Sequence, residues 1–271
     1  MRKVLKICII AVGMYGLGVT KVVSQSRVMK IAELFHARTH ISIQQDTLRY
    51  RLLSPLDYDP HKRYPLVVCL SGGAGRGRDN IKQIAGSKAA QVLSTLENRK
   101  KYQAFIFAPQ CPPGADWGRS PGKREKEQLI KRGRYKQPNV APLVFEVIAA
   151  LEEEFNIDSS RLYITGQSMG GYGTWHYILS RPQMFAAAIP ICGGANPDLA
   201  KNIADVPLWV FHGDKDNTVP VDFSRRMVAA IRKAGGNPKY TEFSGVGHSS
   251  WHPAFETPEL LDWLFAQVKE R

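Results

Sequence analysis

The chain has 271 residues, of which 44% are hydrophobic, enough for one sizeable apolar core. Four cysteines and no zinc-type Cys/His spacing exclude a disulfide-stapled or metal-folded scaffold, and no metal, cofactor or nucleic-acid partner is expected. The formal charge of +13 suits contact with acidic polymers, an anionic cell surface or anionic lipid, without choosing among them.

Residues 1–6 are basic and residues 7–19 are an apolar run. Val22 and Ser24 supply short side chains at the −3 and −1 positions, so residues 1–24 read as a secretory signal cleaved near Ser24–Gln25. The apolar run is short of the roughly 20 residues that a membrane span needs. A retained N-terminal anchor is the alternative, and the expected location is secreted or periplasmic. Removing residues 1–24 takes away Arg2, Lys3, Lys6 and Lys21 and no acid, so +13 becomes +9. Cys8 leaves with the signal. Cys69 and Cys192, in apolar strand sequence, read as small buried hydrophobes, and Cys111 is the third to remain.

Residues 25–271 read as a single domain in which strands and helices alternate. Residues 41–53 suggest two short strands, arranged as a hairpin. Residues 65–70 are a near-continuous apolar strand that ends in Ser71-Gly72-Gly73-Ala74-Gly75-Arg76-Gly77. Residues 104–108 form the next strand, stopped by Pro109. Residues 111–138 are polar and punctuated by Gly and Pro, a basic insertion with eight Lys/Arg and two Glu between Arg119 and Lys136. Residues 140–155 have helical periodicity, with Val144, Val147, Ile148 and Leu151 on one face and Asn139 as N-cap. Strands are expected at 162–165, 185–192, 207–211 and 240–243, and helices at 223–233 and 259–269. Continuous apolar strands between helices indicate a parallel sheet covered on both faces.

The strand Leu162-Tyr163-Ile164-Thr165 runs into Gly166-Gln167-Ser168-Met169-Gly170, followed by helix-forming sequence without Pro up to Ser180. Strand, Gly-x-Ser-x-Gly and helix in that order form the nucleophile elbow of the α/β-hydrolase fold. The turn lifts the Ser168 hydroxyl above the sheet, and the helix behind it aims N–H groups at an oxyanion. Such a serine needs a base and an orienting acid, which in this fold follow the nucleophile as acid and then His. The segment from Phe211 to Pro220 directly follows a strand and offers Asp214 and Asp216. Gly245-Val246-Gly247-His248 follows the next. His248 is the expected general base, and His212, at a strand end, reads as structural. An oxyanion hole needs two N–H donors. Met169 is one candidate and Gly73, in the Gly-rich loop after residues 66–70, the other. That loop lacks the Gly-Lys-Ser/Thr of a phosphate loop.

The segments from Leu162 to Trp175, Ala108 to Pro112, Ile191 to Gly194 and His212 to Pro220 resemble the single-domain phospholipase/carboxylesterase-like proteins labelled predicted peptidases. These are α/β-hydrolases related to the prolyl oligopeptidase catalytic domain and to feruloyl and acetyl-xylan esterases. The resemblance covers residues 45–268 and implies Asp216 as the acid, at the last position of His-Gly-x-x-Asp. It departs in one loop, where the family reads His-Gly-Ala-Gly-Glu-Arg-Gly and this chain has Ser71 to Gly77.

The leading expectation is a secreted serine esterase acting on acyl or aryl esters, including those of a polysaccharide; the basic insertion reads first as a solvated loop, with recruitment of an anionic substrate as the alternative. A serine peptidase of the prolyl oligopeptidase type is the second reading. A non-catalytic carbohydrate- or surface-binding protein on a hydrolase scaffold is the third. Trp117, in the polar insertion, and Trp251 are candidates for lining an acyl or sugar subsite.

Overall fold

The computed structural model describes residues 28–121 and 138–270, together with Ser26, Glu127 and Lys131. The signal expected at 1–24 and most of the basic insertion lie outside the described residues. Eight strands form one sheet in the order β1-β2-β4-β3-β5-β6-β7-β8. They are β1 (His36–Ile41), β2 (Thr47–Leu53), β3 (Tyr64–Leu70), β4 (Phe105–Pro109), β5 (Ile157–Gln167), β6 (Ala187–Ile191), β7 (Trp209–Gly213) and β8 (Lys239–Phe243). β1 pairs antiparallel with β2, and β2 antiparallel with β4; every other pair is parallel. A mostly parallel sheet with two antiparallel strands at one edge and helices on both faces is the α/β-hydrolase fold.

Side chains alternate across the sheet as the strand period requires. Leu66, Val68 and Leu70 of β3 enter one apolar cluster, and Val67 and Cys69 enter the other. The first cluster is closed by helices α4 (Ala141–Glu154), α5 (Met169–Ser180) and α6 (Asp222–Lys233). The second is closed by α1 (Lys82–Ala85), α2 (Lys88–Leu93), α7 (Trp251–Ala254) and α8 (Leu260–Ala266), with α3 (Leu96–Lys101) beside them. Among the described residues no helix is long and apolar enough to cross a membrane.

Several elements differ from the sequence reading. The hairpin is present, but β1 begins at His36, and its mostly exposed edge carries no apolar alternation to read. Helices α1, α2 and α3 went unread. Each is four to six residues long, and α1 and α2 are held by burial of Ile84, Ala89, Ala90 and Leu93 rather than by propensity. Val140, not Asn139, is the N-cap of α4; Asn139 Oδ1 still accepts from the Ala141 N–H, at 2.8 Å, so it caps from one residue further out. Asp116 and Asn139 pair as an isolated parallel bridge, which closes the base of the insertion.

Candidate active site

Ser168 stands where β5 ends and α5 begins, with φ 56° and ψ −115°. A non-glycine residue there costs on the order of 1–3 kcal/mol and persists only when its surroundings impose it. Here the surroundings are close-packed glycines. A Cβ on Gly166 would overlap the Gly170 carbonyl, and one on Gly170 would overlap the Leu70 carbonyl of β3. The Ser168 N–H reaches the Ile191 carbonyl at 3.0 Å and lies 3.3 Å from Cys192 Sγ. The backbone is thus tied across to β6 while the side chain is left to meet groups from other loops.

His248, on the loop after β8, places Nε2 2.8 Å from Ser168 Oγ and Nδ1 2.7 Å from Asp216 Oδ2. Asp216, on the loop after β7, has a fully buried side chain. Its Oδ1 accepts from the Thr218 and Val219 N–H groups, both at 2.8 Å. His212, at the end of β7 and wholly buried, sets Nε2 2.9 Å from the Val219 carbonyl and 3.3 Å from Asp216 Oδ2. Because Nε2 faces two acceptors, it carries the hydrogen. Nδ1 meets Ser224 Oγ at 2.7 Å, which is itself 3.1 Å from the Gly193 carbonyl. Burial lowers the pKa of His212 and favours the neutral ring. The sequence reading of His212 as structural missed this contact with the carboxylate. Asp214 instead accepts from the Gly245 N–H at 2.7 Å and holds a turn.

Gly73 opens a short 3-10 turn after β3 and is exposed, and Met169 is the first residue of α5. Among the described residues neither N–H has a protein acceptor. The loop around Gly73 is fixed from several sides. Gly72 N–H bonds to the Gly86 carbonyl at 2.9 Å, and Gly77 N–H to the Cys111 carbonyl at 3.0 Å. Gln110 Nε2 donates to Asp79 Oδ1 at 2.8 Å. Burial alone would raise the Asp79 carboxyl, but the Lys82 N–H, Gln110 and the Ile81 N–H outweigh it and hold the pKa at about 2.

The two tryptophans part company. Trp251 is half-buried and meets the His248 ring edge-on, with centroids 5.4 Å apart at 87°. Trp117 corrects the sequence reading: it is fully buried and lines no open surface. Its indole N–H donates to the Ser71 carbonyl at 2.8 Å, so it supports the Gly73 loop from beneath. Its side chain also lies against Gly173 of α5, where an added Cβ would overlap the Trp117 Cβ.

Ligand atoms of Cys192, Asp216 and His248 lie within 4.8 Å of one another. The donor set does not fit a metal ion. Burial pushes the Cys192 thiol up to about 12, and both Asp216 oxygens are already bonded.

The profile of the Esterase family matches residues 42–221. A solved thermostable esterase is 39% identical, superposes with a TM-score of 0.80, and is matched over 88% of this chain and 64% of its own. A protein of Aspergillus niger named "Probable feruloyl esterase C" is 24% identical over 205 residues, 74% of this chain and 67% of its own length. An "Uncharacterized secreted protein" of Arthroderma benhamiae is 29% identical over 138 residues, 40% of this chain and 15% of its own length. The chain therefore spans a minor part of that fungal protein and just under two thirds of the thermostable esterase. With a matching profile over more than half its length and this sheet order, the chain belongs to the Esterase family of the α/β-hydrolases.

Proposed function

We propose that the chain is a secreted serine esterase that cleaves carboxylic esters through an acyl-enzyme. The observation that carries this reading is the unbroken hydrogen-bonded series Ser168 Oγ, His248 Nε2, His248 Nδ1 and Asp216 Oδ2 at the C-terminal edge of the sheet. Ser168 Oγ attacks the ester carbonyl carbon while His248 Nε2 takes its proton. The oxyanion is received by the N–H groups of Gly73 and Met169. Asp216 accepts from Nδ1–H, fixes the tautomer and stabilises the imidazolium. Collapse breaks the bond to the alcohol oxygen, which takes the proton from His248. Water, activated by the same imidazole, then releases the acid and restores Ser168.

The substrate class is an acyl or aryl ester, including esters carried on polysaccharide. Besides the feruloyl esterase relative, a "Bifunctional acetylxylan esterase/xylanase" of Neocallimastix patriciarum is 35% identical over 77 residues, 28% of this chain and 11% of its own length. Trp251, edge-on to His248, is the side chain best positioned to bound the acyl or sugar subsite. Export is supported by the basic and apolar segments of residues 1–24.

The test is a substrate panel: p-nitrophenyl acyl esters, methyl ferulate, acetylated xylan and peptide anilides, each with wild type and Ser168→Ala. Ester cleavage that disappears in Ser168→Ala supports the proposal. Faster turnover of the anilides would make the protein a peptidase. Turnover of no substrate would refute the catalytic reading.

A further inference from the structure

Asp216 is reached by two imidazoles, and the scheme above uses one of them. His248 meets Oδ2 from the loop after β8, at 2.7 Å. His212 meets the same oxygen from the end of β7, with Nε2 at 3.3 Å. The side chains of His212 and Asp216 are both wholly buried. His212 Nε2 also reaches the Val219 carbonyl at 2.9 Å, and the Val219 N–H donates to Asp216 Oδ1 at 2.8 Å. The carboxylate, the Val219 backbone and the imidazole therefore close a hydrogen-bonded ring within the turn after β7.

Oδ1 takes the Thr218 and Val219 N–H groups, so the two remaining lone pairs belong to Oδ2. One faces His248 and the other faces His212. Without the His212 donor that second position would lie in a dry interior, where an unmet charge is costly. The carboxylate would then be held at Oδ1 alone and could twist about its Cβ–Cγ bond, out of the plane of the His248 ring.

His212 is itself fixed. The ladder sets it opposite Glu242 of β8, and Ser224, fully buried in the first turn of α6, meets Nδ1 at 2.7 Å. The serine hydroxyl donates to Nδ1, which leaves the ring hydrogen on Nε2. Burial keeps the ring neutral, so it offers Asp216 a donor rather than a second full positive charge. Glu242, the further acid acting on this ring, is engaged by Arg225 Nε at 2.9 Å and by the Tyr240 hydroxyl at 2.6 Å.

We propose that His212 is a positioning residue of the ester hydrolysis, whose Nε2–H holds the Asp216 carboxylate in plane for His248 and draws off part of its charge. The inference rests on the esterase reading and adds a residue that acts through Asp216 without touching substrate. Two consequences follow from the two parts. Loss of orientation lowers kcat. Loss of the donor leaves more negative charge facing His248, so protonation of the essential base sets in at higher pH and activity ends sooner on the acid side.

The experiment compares wild type, His212→Asn and His212→Gln in p-nitrophenyl acetate hydrolysis across pH, normalised by fluorophosphonate titration of active sites, with thermal melting as the folding control. The asparagine amide reaches the place of Nδ1 and loses the donor to Asp216; the longer glutamine amide reaches the place of Nε2 and keeps it. His212→Asn should lower kcat about tenfold, the low end for a hydrogen bond to a charged group, because this donor is shared with the Val219 carbonyl. The acid limb of kcat/KM should move up by about half a pH unit. His212→Gln should recover most of both. A folded His212→Asn with an unmoved acid limb or with kcat within about twofold of wild type, or a His212→Gln no better than His212→Asn, overturns the proposal. If His212→Asn does not fold, the ring spectrum of wild type labelled with 15N-histidine decides. A slowly exchanging Nε2–H on a ring with bare Nδ1, the opposite tautomer from His248, should be present and should shift when a fluorophosphonate occupies Ser168. Its absence, or a signal blind to the adduct, also overturns the proposal. Failure of wild type to cleave the ester in a Ser168-dependent way would instead be failure of the esterase reading itself.

Discussion

Asp216→Asn is the sharpest test of the proposed site, because the structure dictates how the amide must lie. Oδ1 of Asp216 accepts two backbone N–H groups, from Thr218 and Val219. An asparagine there keeps its oxygen on that side, since turning the NH2 inward would set donors against donors. The NH2 then faces His248 Nδ1, where Oδ2 now sits at 2.7 Å, and also faces His212 Nε2. Nδ1 must become an acceptor, so the imidazole proton moves to Nε2. Nε2 then points a hydrogen at Ser168 Oγ, 2.8 Å away, and can no longer take one. A wrong tautomer of this kind costs about ten-thousandfold in kcat, or about 5 kcal/mol of transition-state stabilisation. Asp214→Asn keeps its acceptor for the Gly245 N–H and should cost no more than about twofold. The assay is p-nitrophenyl acetate hydrolysis, with thermal melting to show that both variants fold. An Asp216→Asn protein that folds and keeps a tenth of its kcat, or an inactive Asp214→Asn, would sink the argument.

Ser168→Ala should abolish ester cleavage and labelling by a fluorophosphonate probe; full labelling at another serine would show that the nucleophile lies elsewhere. Trp117→Phe leaves the Ser71 carbonyl without its indole donor, and should lower stability in urea by about 1–3 kcal/mol. Because Ser71 leads into the Gly73 loop, kcat should fall more than KM rises; an unchanged kcat would separate the loop from the oxyanion site. His176 and His212 both have pKa values lowered by burial from 6.5, so below that pH the unfolded chain binds more protons than the folded one. Their contribution is complete above pH 6.5 and is lost as pH falls toward the folded values. A further loss, from Asp79 and Glu242 with pKa near 2, belongs to more acidic conditions. The urea midpoint should therefore drop between pH 7.5 and 5.5, and less so in His176→Asn; a flat midpoint contradicts this account.

What the sequence conveys about the site divides along the range of the forces involved. Ser168 is legible because the elbow needs Gly166 and Gly170 within two residues of it, and that requirement is written locally. His248 is legible because a glycine-flanked loop after a late strand is again a local pattern. Asp216 is not separable from Asp214 by composition or spacing. Both stand in one turn after β7, and only the resemblance to His-Gly-x-x-Asp favours the second. What distinguishes them is which carboxylate the turn buries, and this depends on Thr218, Val219 and a loop 32 residues further on. Trp117 was misread for the same reason. Its neighbours are polar, so composition suggests solvent, yet the ring fills the space beneath Ser71, 46 residues earlier in the chain. Helices α1 to α3 fall in this class as well, being too short to show a period and stabilised by the sheet they cover.

The same distinction explains why the proposed base and acid are carried on loops while the proposed nucleophile is not. Ser168 and Cys192 both hold positive φ, 56° and 41°, and face each other at the ends of β5 and β6. Each conformation costs on the order of 1–3 kcal/mol, so neither would persist on a free loop. Cys192 N–H is bonded to the Phe211 carbonyl at 2.9 Å, and Ser168 N–H to the Ile191 carbonyl at 3.0 Å. The parallel ladder thus imposes both turns and fixes the serine. His248 and Asp216 need no such strain. Asp216 needs only the correct donors, which the backbone of the 213–219 turn and the His212 ring provide, and His248 needs only the Asp216 carboxylate as acceptor for its Nδ1–H. Rigid placement of Ser168 and hydrogen-bonded placement of His248 and Asp216 are therefore separable. Cys192→Ala should show this: it removes the sulfur 3.3 Å from the Ser168 N–H but leaves the ladder bonds intact, so thermal stability should change more than kcat. A large loss of kcat with unchanged melting would mean that the thiol, rather than the ladder, holds the elbow.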